Sequence, residues 1–554
     1  MIRYMVRRLS PQLLWVLAGA LVLITLDLGG RIFSSNDEAR FALLAQEVMR
    51  GEWFFPRLNG VVYHNKPLLL AWLIALVSWP VGAVTQLTAV LPSAAATLAT
   101  ALIVYALGRE MFGADAGKFA ALTAMTTQGV FVHARVPMPD MLMTAFITAS
   151  LWMLWRMARG SRFAWLGFYG FIALAFWAKG PAGLLPLAVA LAWAAASGTR
   201  GAWRALRLPF GVPLVVALVS PWGIIGVARS AAGVKQAVLN DQLLWYLPQS
   251  FRVAALIEPI QNAFGILFPC VFFVPLALTQ AWRARSARAP ERDALALLLV
   301  WLTVVFALVA VSYQQRLRYY LPLVPPATLL VGWWVETVVR RRGIGRMPWR
   351  LYAVAAAVLL AASLPALWLK REVLGELTLT WPAYAAQVGV LIATLASVAV
   401  VPRLAAPGRR FAHAFTVTWL GCAVLVASGY HVDLVRRNSA HDYPRLRERV
   451  GPLVARSPVV ATWGLPDLPV SFYLDRPVVN VDSAAYFRRV ASERPRAVAI
   501  VADRALATLG ERDGYRILLR DHFGQRPISV VDFGWGAPKW PPIPPSARSA
   551  PAQP

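Results

Sequence analysis

The chain has 554 residues, of which 58% are hydrophobic and 15% charged, and its mean hydropathy is +0.55. A sequence this apolar excludes an ordinary water-soluble globular protein. The formal net charge of +28 does not indicate nucleic-acid binding, because most of the arginines flank apolar segments and no basic stripe interleaved with aromatic residues occurs in a soluble segment. With two cysteines, Cys270 and Cys422, both in apolar segments, we expect neither a disulfide framework nor a cysteine metal site.

The apolar segments predict an α-helical polytopic membrane protein. A helix needs roughly 20 residues to cross a bilayer, and on this basis we count about thirteen spans. The segment Leu68–Val81 is also apolar, but it is short and bracketed by Pro67 and Pro80, so we interpret it as an interfacial or re-entrant helix. The predicted spans are 12–30, 87–107, 116–133, 139–157, 163–178, 180–197, 209–228, 258–281, 293–312, 319–338, 350–369, 380–402 and 411–430.

Lysine and arginine predict the orientation, since they gather in the cytoplasmic loops of membrane proteins. With thirteen spans, most of these residues fall on the side of the N-terminus, including Arg3, Arg7 and Arg8, and the short loops on the opposite side hold far fewer. We therefore expect a multi-pass protein of the bacterial inner membrane with a cytoplasmic N-terminus. The loop after the first span would then face the periplasm.

Beyond Tyr430 the composition changes. Residues 1–431 form the predicted transmembrane domain, 432–537 a small periplasmic α/β domain, and 538–554 a Pro- and Ala-rich disordered tail. Strands are predicted over Pro458–Thr462, Val478–Val481 and Ala497–Val501, and helices over Tyr443–Val454 and Ala484–Ser492.

The first outer loop begins with the candidate catalytic residues. Asp37 and Glu38 stand beside Arg40 where the first span ends, and this acidic pair next to a cation suits the handling of a hydroxyl or a phosphate. Apolar positions at helical spacing predict an amphipathic helix over Glu38–Arg50.

The same loop continues with an aromatic segment and a lysine. Lys66, with Tyr63 and His64 nearby, suits the binding of a lipid phosphate at the membrane surface. The alternative is an ordinary aromatic belt with Lys66 snorkelling to the interface.

A second carboxylate, Asp140, follows the third span in a tight turn that contains His133, Arg135 and Pro139. It can simply cap the fourth span. If it shares a cleft with Asp37, one carboxylate can accept a proton while the other orients the nucleophile or a cation.

The motifs Asp37–Arg40, Tyr63–Pro67, Pro139–Asp140, Lys179–Pro181 and Arg318–Pro322, in this order, resemble those of the bacterial aminoarabinose transferases. That group is related to the protein O-mannosyltransferases and has the C-type glycosyltransferase fold, with outer juxtamembrane helices. The resemblance covers roughly residues 10–430.

The resemblance implies an inverting transfer of a sugar from undecaprenyl phosphate to a periplasmic acceptor such as lipid A. It implies catalytic roles for Asp37 and Asp140. It further implies that Lys66, Arg40 and Tyr63 contact the carrier phosphate, and we place Glu38 with them. Weaker candidates for acceptor or phosphate contact are Arg316, Arg318 and Tyr319.

The chain departs from the family pattern at Phe41, at Asn65, which stands where an acid often precedes the lysine, and at 240–242, where the family often has His and Arg. A divalent metal is therefore not supported by the residues, and we expect no cofactor. The expected partners are the carrier-linked sugar, a glycolipid acceptor and membrane lipids, with the protein a monomer.

Two alternatives remain open. A lipid or sugar transporter fits the span count, but transporters carry ionisable groups near the bilayer midplane and internal repeats, and neither is evident here. A glycosyltransferase that acts on another surface glycan or on a protein is the second alternative.

Overall fold

A computed structural model describes residues 10–236, 254–286, 291–341, 389, 392, 409–493, 497–509 and 515–533. The chain divides into two compact units. The helical unit contains residues up to Gly29, residues 64–73 and residues 90–433. The mixed unit contains residues 30–63, residues 74–89 and the chain from Leu434 onward.

The described helices are numbered in chain order. They are α1 Pro11–Thr25, α2 Asn36–Met49, α3 Leu69–Ser78, α4 Gln86–Phe112, α5 Ala114–Met125, α6 Gln128–His133, α7 Pro139–Ala158, α8 Ala164–Lys179, α9 Leu185–Ser197, α10 Arg200–Leu206, α11 Leu208–Gln236, α12 Ala254–Leu267, α13 Val274–Ser286, α14 Arg292–Ala310, α15 Val324–Arg341, α16 Arg409–Ala440, α17 Tyr443–Val454, α18 Asp467–Leu474, α19 Ala484–Glu493 and α20 Asp503–Leu506. Short 3₁₀ turns lie at Trp79–Val81, Gly180–Leu184, Cys270–Phe272 and Leu317–Leu323.

Six helical segments in the described part of the chain are long and apolar enough to cross a membrane. Two shorter apolar helical segments, Pro11–Thr25 and Leu69–Val81, accompany them. The predicted span 350–369 lies outside the described residues, as does almost all of the span 380–402. The six segments are Gln86–Phe112, Pro139–Ala158, Ala164–Ser197, Arg200–Ala228, Arg292–Ala310 and Phe415–Val454.

Small residues bring helices of the helical unit close together. A Cβ atom on Gly332 of α15 would lie 2.4 Å from the carbonyl oxygen of Ala116 on α5. On the other side, a Cβ atom on Gly117 of α5 would lie 2.5 Å from the carbonyl oxygen of Tyr105 on α4. Lipid-embedded helices associate by this kind of close backbone packing, since no hydrophobic effect drives them together.

Arg135 caps the C-terminal end of α1. Its side chain is buried, its Nε donates to the carbonyl oxygen of Leu26 at 2.7 Å, and its guanidinium also bonds the carbonyl oxygens of Leu23 and Phe131. The last carbonyls of a helix lack intrahelical donors and carry partial negative charge, so a buried cation there satisfies both needs.

In the mixed unit, the predicted amphipathic helix over Glu38–Arg50 is confirmed as α2, with Phe41, Leu44 and Val48 buried. It is followed by the hairpin of β1 (Arg57–Leu58) and β2 (Val61–Val62). Asn59 and Gly60 connect the strands with φ of 47° and 86°. Positive φ at both central positions is the two-residue turn that the Asn-Gly pair favours.

The C-terminal part of the mixed unit is a five-stranded sheet in the order β4-β3-β5-β7-β6. The strands predicted near 458, 478 and 497 are present as β3 Val459–Trp463, β4 Val479–Val481 and β5 Ala497–Ala502. These three run parallel, while β7 pairs antiparallel with β5 and β6. All six residues of β5 are buried, as expected for a central strand covered on both faces. The last two strands are β6 Tyr515–Phe523 and β7 Arg526–Phe533.

Candidate active site

Asp37 lies in the first turn of α2, in the mixed unit. Ser35 caps the helix, because its hydroxyl oxygen accepts from the backbone N–H of Glu38 at 3.4 Å. The carboxylate of Asp37 pairs with the guanidinium of Arg40 at 3.0 Å, and the two side chains are 24% and 27% exposed. An anion at a helix N-terminus is stabilised by the helix dipole. Asp37 is thus an accessible carboxylate held beside a cation.

Glu38 is buried and occupied by protein donors. One carboxylate oxygen pairs with Arg31, and the other accepts from the backbone N–H of Ser34 at 2.8 Å and from its hydroxyl at 3.2 Å. A buried charge needs such partners. These bonds close the loop in front of α2, which favours a role for Glu38 in shaping that loop. Its contact with the carrier phosphate stays a prediction.

Tyr63 and Lys66 fall on different units. Tyr63 follows the β1–β2 hairpin, its backbone N–H donates to the carbonyl oxygen of Pro56 at 2.9 Å, and its side chain is buried. Lys66 lies in the helical unit, half-buried, just before α3. The roles of both residues at a carrier phosphate remain predictions.

Asp140 lies in the helical unit in a buried cluster. It is in the first turn of α7, and its carboxylate pairs with the ammonium of Lys179, the last residue of α8, at 2.5 Å. The two side chains are 1% and 2% exposed. The Lys179 ammonium also lies 4.3 Å from the ring centroid of Tyr319, and the guanidinium of Arg318 lies 5.7 Å from the same centroid.

We call Asp140, Lys179, Arg318 and Tyr319 the Asp140 cluster. Because Lys179 neutralises the carboxylate inside a buried site, Asp140 is better suited to orienting neighbouring groups than to accepting a proton directly. Arg316 precedes the turn that carries Arg318 and Tyr319 and is half-buried.

Lys179 is the residue that sequence reasoning left out of the site. It belongs to the motif Lys179–Pro181, for which the sequence predicts no role. The sequence signal that identifies it is a lone lysine at the end of an apolar segment, directly before Gly180 and Pro181, since an ionisable group at membrane depth needs a partner.

No group of three or more His, Cys, Asp or Glu side chains able to hold a metal ion occurs among the residues that the structure describes. The segment 240–242 lies outside them. Asp37 and Asp140 belong to different units, so the expectation that they face one cleft stays a prediction.

The helices of this chain follow a known architecture. The crystal structure of ArnT from Cupriavidus metallidurans bound to undecaprenyl phosphate matches with a TM-score of 0.72 and 21% identity, over 94% of this chain and 97% of that one. The Archaeoglobus fulgidus oligosaccharyltransferase in its apo form matches with a TM-score of 0.51 and 11% identity, over 89% of this chain and 70% of that one. The fold is that of the C-type integral-membrane glycosyltransferases, and the protein is a multi-pass membrane protein.

Sequence comparison finds similarity to arabinosyl transferases. Undecaprenyl phosphate-alpha-4-amino-4-deoxy-L-arabinose arabinosyl transferase 1 of Pseudomonas fluorescens is 28% identical over 374 residues, which are 65% of each chain. The corresponding transferase of Pectobacterium carotovorum is 26% identical over 361 residues, 62% of this chain and 63% of the relative. The chain thus spans just under two thirds of the length of these relatives.

A family comparison agrees. Residues 65–225 match the dolichyl-phosphate-mannose-protein mannosyltransferase family. The resemblance to aminoarabinose transferases inferred from the sequence motifs is therefore confirmed.

Proposed function

We propose that this protein is an inverting glycosyltransferase that moves a sugar from undecaprenyl phosphate to a periplasmic acceptor. The similarity to arabinosyl transferases supports this reaction class. The observation that carries the proposal is the Asp37–Arg40 pair, which presents an accessible carboxylate and a cation together at the start of α2. A sugar phosphate donor and a hydroxyl or phosphate acceptor need both kinds of group.

In this reaction, a bond forms between the anomeric carbon and the acceptor oxygen while the bond from that carbon to the carrier phosphate oxygen breaks. Asp37 takes the proton of an acceptor hydroxyl, or steers an acceptor phosphate that is already ionised. Arg40 and Lys66 stabilise the negative charge that grows on the carrier phosphate. Tyr63 contacts the same phosphate, and Asp140 orients the reacting groups from its pair with Lys179.

The membrane arrangement is part of the proposal. We place about thirteen spans across the inner membrane, with the N-terminus cytoplasmic and the site periplasmic. Residues 1–431 form the transmembrane domain, 432–537 the periplasmic domain and 538–554 a tail. The protein acts as a monomer and without a cofactor.

For the acceptor, we propose a lipid A-like glycolipid, and for the sugar 4-amino-4-deoxy-L-arabinose, in line with the named relatives. Arg316, Arg318 and Tyr319 are the proposed contacts to an acidic acceptor, because arginine binds phosphate groups in a bidentate manner.

Mass spectrometry of lipid A from cells with and without the protein tests the acceptor. We expect a sugar adduct on lipid A phosphate that disappears when the protein is absent. An unaltered lipid A together with a changed surface glycan or glycoprotein would move the acceptor elsewhere. Purified protein that transfers no sugar from undecaprenyl phosphate to any of these acceptors would refute the enzyme itself.

A further inference from the structure

Asp467, the first residue of α18, joins two separate segments of the mixed unit. Its Oδ1 accepts from the side-chain amide of Asn36 at 2.9 Å, and its Oδ2 accepts from the side-chain amide of Asn59, also at 2.9 Å. Both oxygens of one carboxylate are therefore engaged by amide donors. Asn36 begins α2, immediately before Asp37, and Asn59 forms the turn of the β1–β2 hairpin that leads to Tyr63.

The carbonyl oxygen of each asparagine side chain is also bonded. The Oδ1 of Asn36 accepts from the backbone N–H of Leu468 at 3.2 Å, and the Oδ1 of Asn59 accepts from the backbone N–H of Val478 at 3.1 Å. Each asparagine thus donates to Asp467 and accepts from the backbone of the C-terminal domain. This closed network, which we call the Asp467 clamp, fixes both the position and the orientation of the two amides.

Two further side chains of the C-terminal domain, those of Tyr473 and Asn438, hold the segment before α2. The hydroxyl of Tyr473, also on α18, accepts from the backbone N–H of Phe33 at 3.0 Å and from the amide of Gln86 at 2.9 Å. The side chain of Asn438 accepts from the backbone N–H of Ile32 at 3.0 Å. The segment before Asp37 is therefore held by side chains that come from the far end of the chain.

We propose that Asp467 is a positioning residue for Asp37. It acts through Asn36, which it holds at the first position of α2. Through Asn59 it also fixes the position of the β1–β2 hairpin relative to that helix. This rests on the proposed function, because it takes Asp37 to be the catalytic carboxylate. The C-terminal domain is, on this account, a scaffold for the transfer site.

Exchanging the side chains of Asn36 and Asp467 tests the clamp. In Asp467→Asn, the new amide has one oxygen for two amide donors, so one bond is lost and two NH₂ groups face each other. In Asn36→Asp, two carboxylates are brought into contact. In the double variant, the new amide donates to the carboxylate at 36 and accepts from Asn59, while the carboxylate at 36 still accepts from Leu468.

We expect each single variant to lower kcat by about 10- to 100-fold, the range for a catalytic group displaced by about 1 Å. The KM for the carrier-linked sugar should change little, and the double variant should recover most of the lost kcat. Asp475→Asn is the matched control, since Asp475 caps the other end of α18 and is exposed, and its carboxylate pairs only with Arg50, at 3.4 Å, among the bonds described. It should transfer like the wild type.

Hydrogen exchange gives a readout that does not depend on transfer. In the full-length protein, we expect the backbone amides of residues 36–41 to lose protection in Asp467→Asn and regain it in the double variant, with β5 unchanged in both. Wild-type kcat and wild-type protection in Asp467→Asn would overturn the positioning role. If the wild type itself transfers no sugar, the proposed function fails, and the exchange data still decide whether the clamp orders α2.

Discussion

The Asp37–Arg40 pair combines accessibility with an opposite charge, whereas the neighbouring Glu38 is buried and occupied by Arg31 and Ser34. Two acidic residues adjacent in sequence thus have different environments. Of these two carboxylates, that of Asp37 is about a quarter exposed, so the proposed function assigns the chemical role to Asp37 and not to Glu38.

Asp37→Asn preserves the shape of the side chain and removes its charge. We expect transfer to fall by about 100-fold or more, with normal membrane insertion, because the proton acceptor is lost. Transfer is measured with purified protein and added carrier-linked sugar. Glu47→Gln, on the same helix and paired only with the exposed Arg50 among the contacts described, is the control and should be near wild type. A wild-type rate in Asp37→Asn contradicts the assignment.

Single and double variants of the Asp140–Lys179 pair can distinguish a structural role from a chemical one. Asp140→Asn or Lys179→Met alone leaves one buried charge without its partner, and each should destabilise the protein by about 3–5 kcal/mol. The double variant removes both charges and should regain most of the thermal stability measured in detergent. If Asp140 orients reacting groups, that stable double variant still transfers slowly. A double variant with full activity would limit the pair to a structural role.

At the scale of elements, Gly332 and Gly170 offer a matched comparison. Gly332→Ala places a Cβ atom 2.4 Å from the carbonyl oxygen of Ala116, which forces α15 and α5 apart. Gly170→Ala on α8 meets nothing within 4 Å. We expect the first variant to lower the melting temperature by several degrees, since overpacking typically costs about 1–3 kcal/mol, and the second to be neutral. Equal melting temperatures would show that α15 and α5 do not need this close approach.

Periodicity was sufficient to predict α2, α17 and the parallel strands β3, β4 and β5. These elements have clear apolar patterns and turn residues at their ends. Helix α18 and the strands β6 and β7 were not predicted. Helix α18 has only eight residues, which include Pro469 and show no clear apolar pattern. Strand β6 is half-exposed along its length. Tertiary contacts therefore decide the structure of these elements.

The site residues also divide into those that local sequence predicts and those that it does not. The positions of Asp37, Arg40 and Asp140 at helix starts could be predicted, because local sequence determines where a helix begins. The partners Lys179 and Asp467 could not, since each lies far along the chain from the residue that it bonds, and no local pattern encodes such a distance.

At the scale of the whole molecule, the mixed unit is assembled from three separated stretches of chain. A variant that ends after residue 433 keeps five of the six candidate membrane-crossing segments whole, together with residues 415–433 of the sixth, Phe415–Val454. It removes Asp467, Tyr473 and Asn438. We expect it to be inactive in transfer, with the segment 30–63, which carries α2 and the β1–β2 hairpin, readily cleaved by protease. The full chain, tested under identical conditions, provides the comparison. A shortened protein that transfers at the full-length rate and resists cleavage would contradict the dependence of this segment on the C-terminal domain.

The Asp467 clamp also has a consequence for biosynthesis. Asn36 leaves the ribosome 431 residues ahead of Asp467. At roughly 5–20 residues per second, that separation amounts to about 20 to 90 seconds. During this interval the loop that carries Asp37 has been made and its partners have not. A nascent chain therefore reaches the membrane before the Asp467 clamp can form, and the hydrogen bonds that hold Asn36 and Asn59 are complete only once translation has passed Val478.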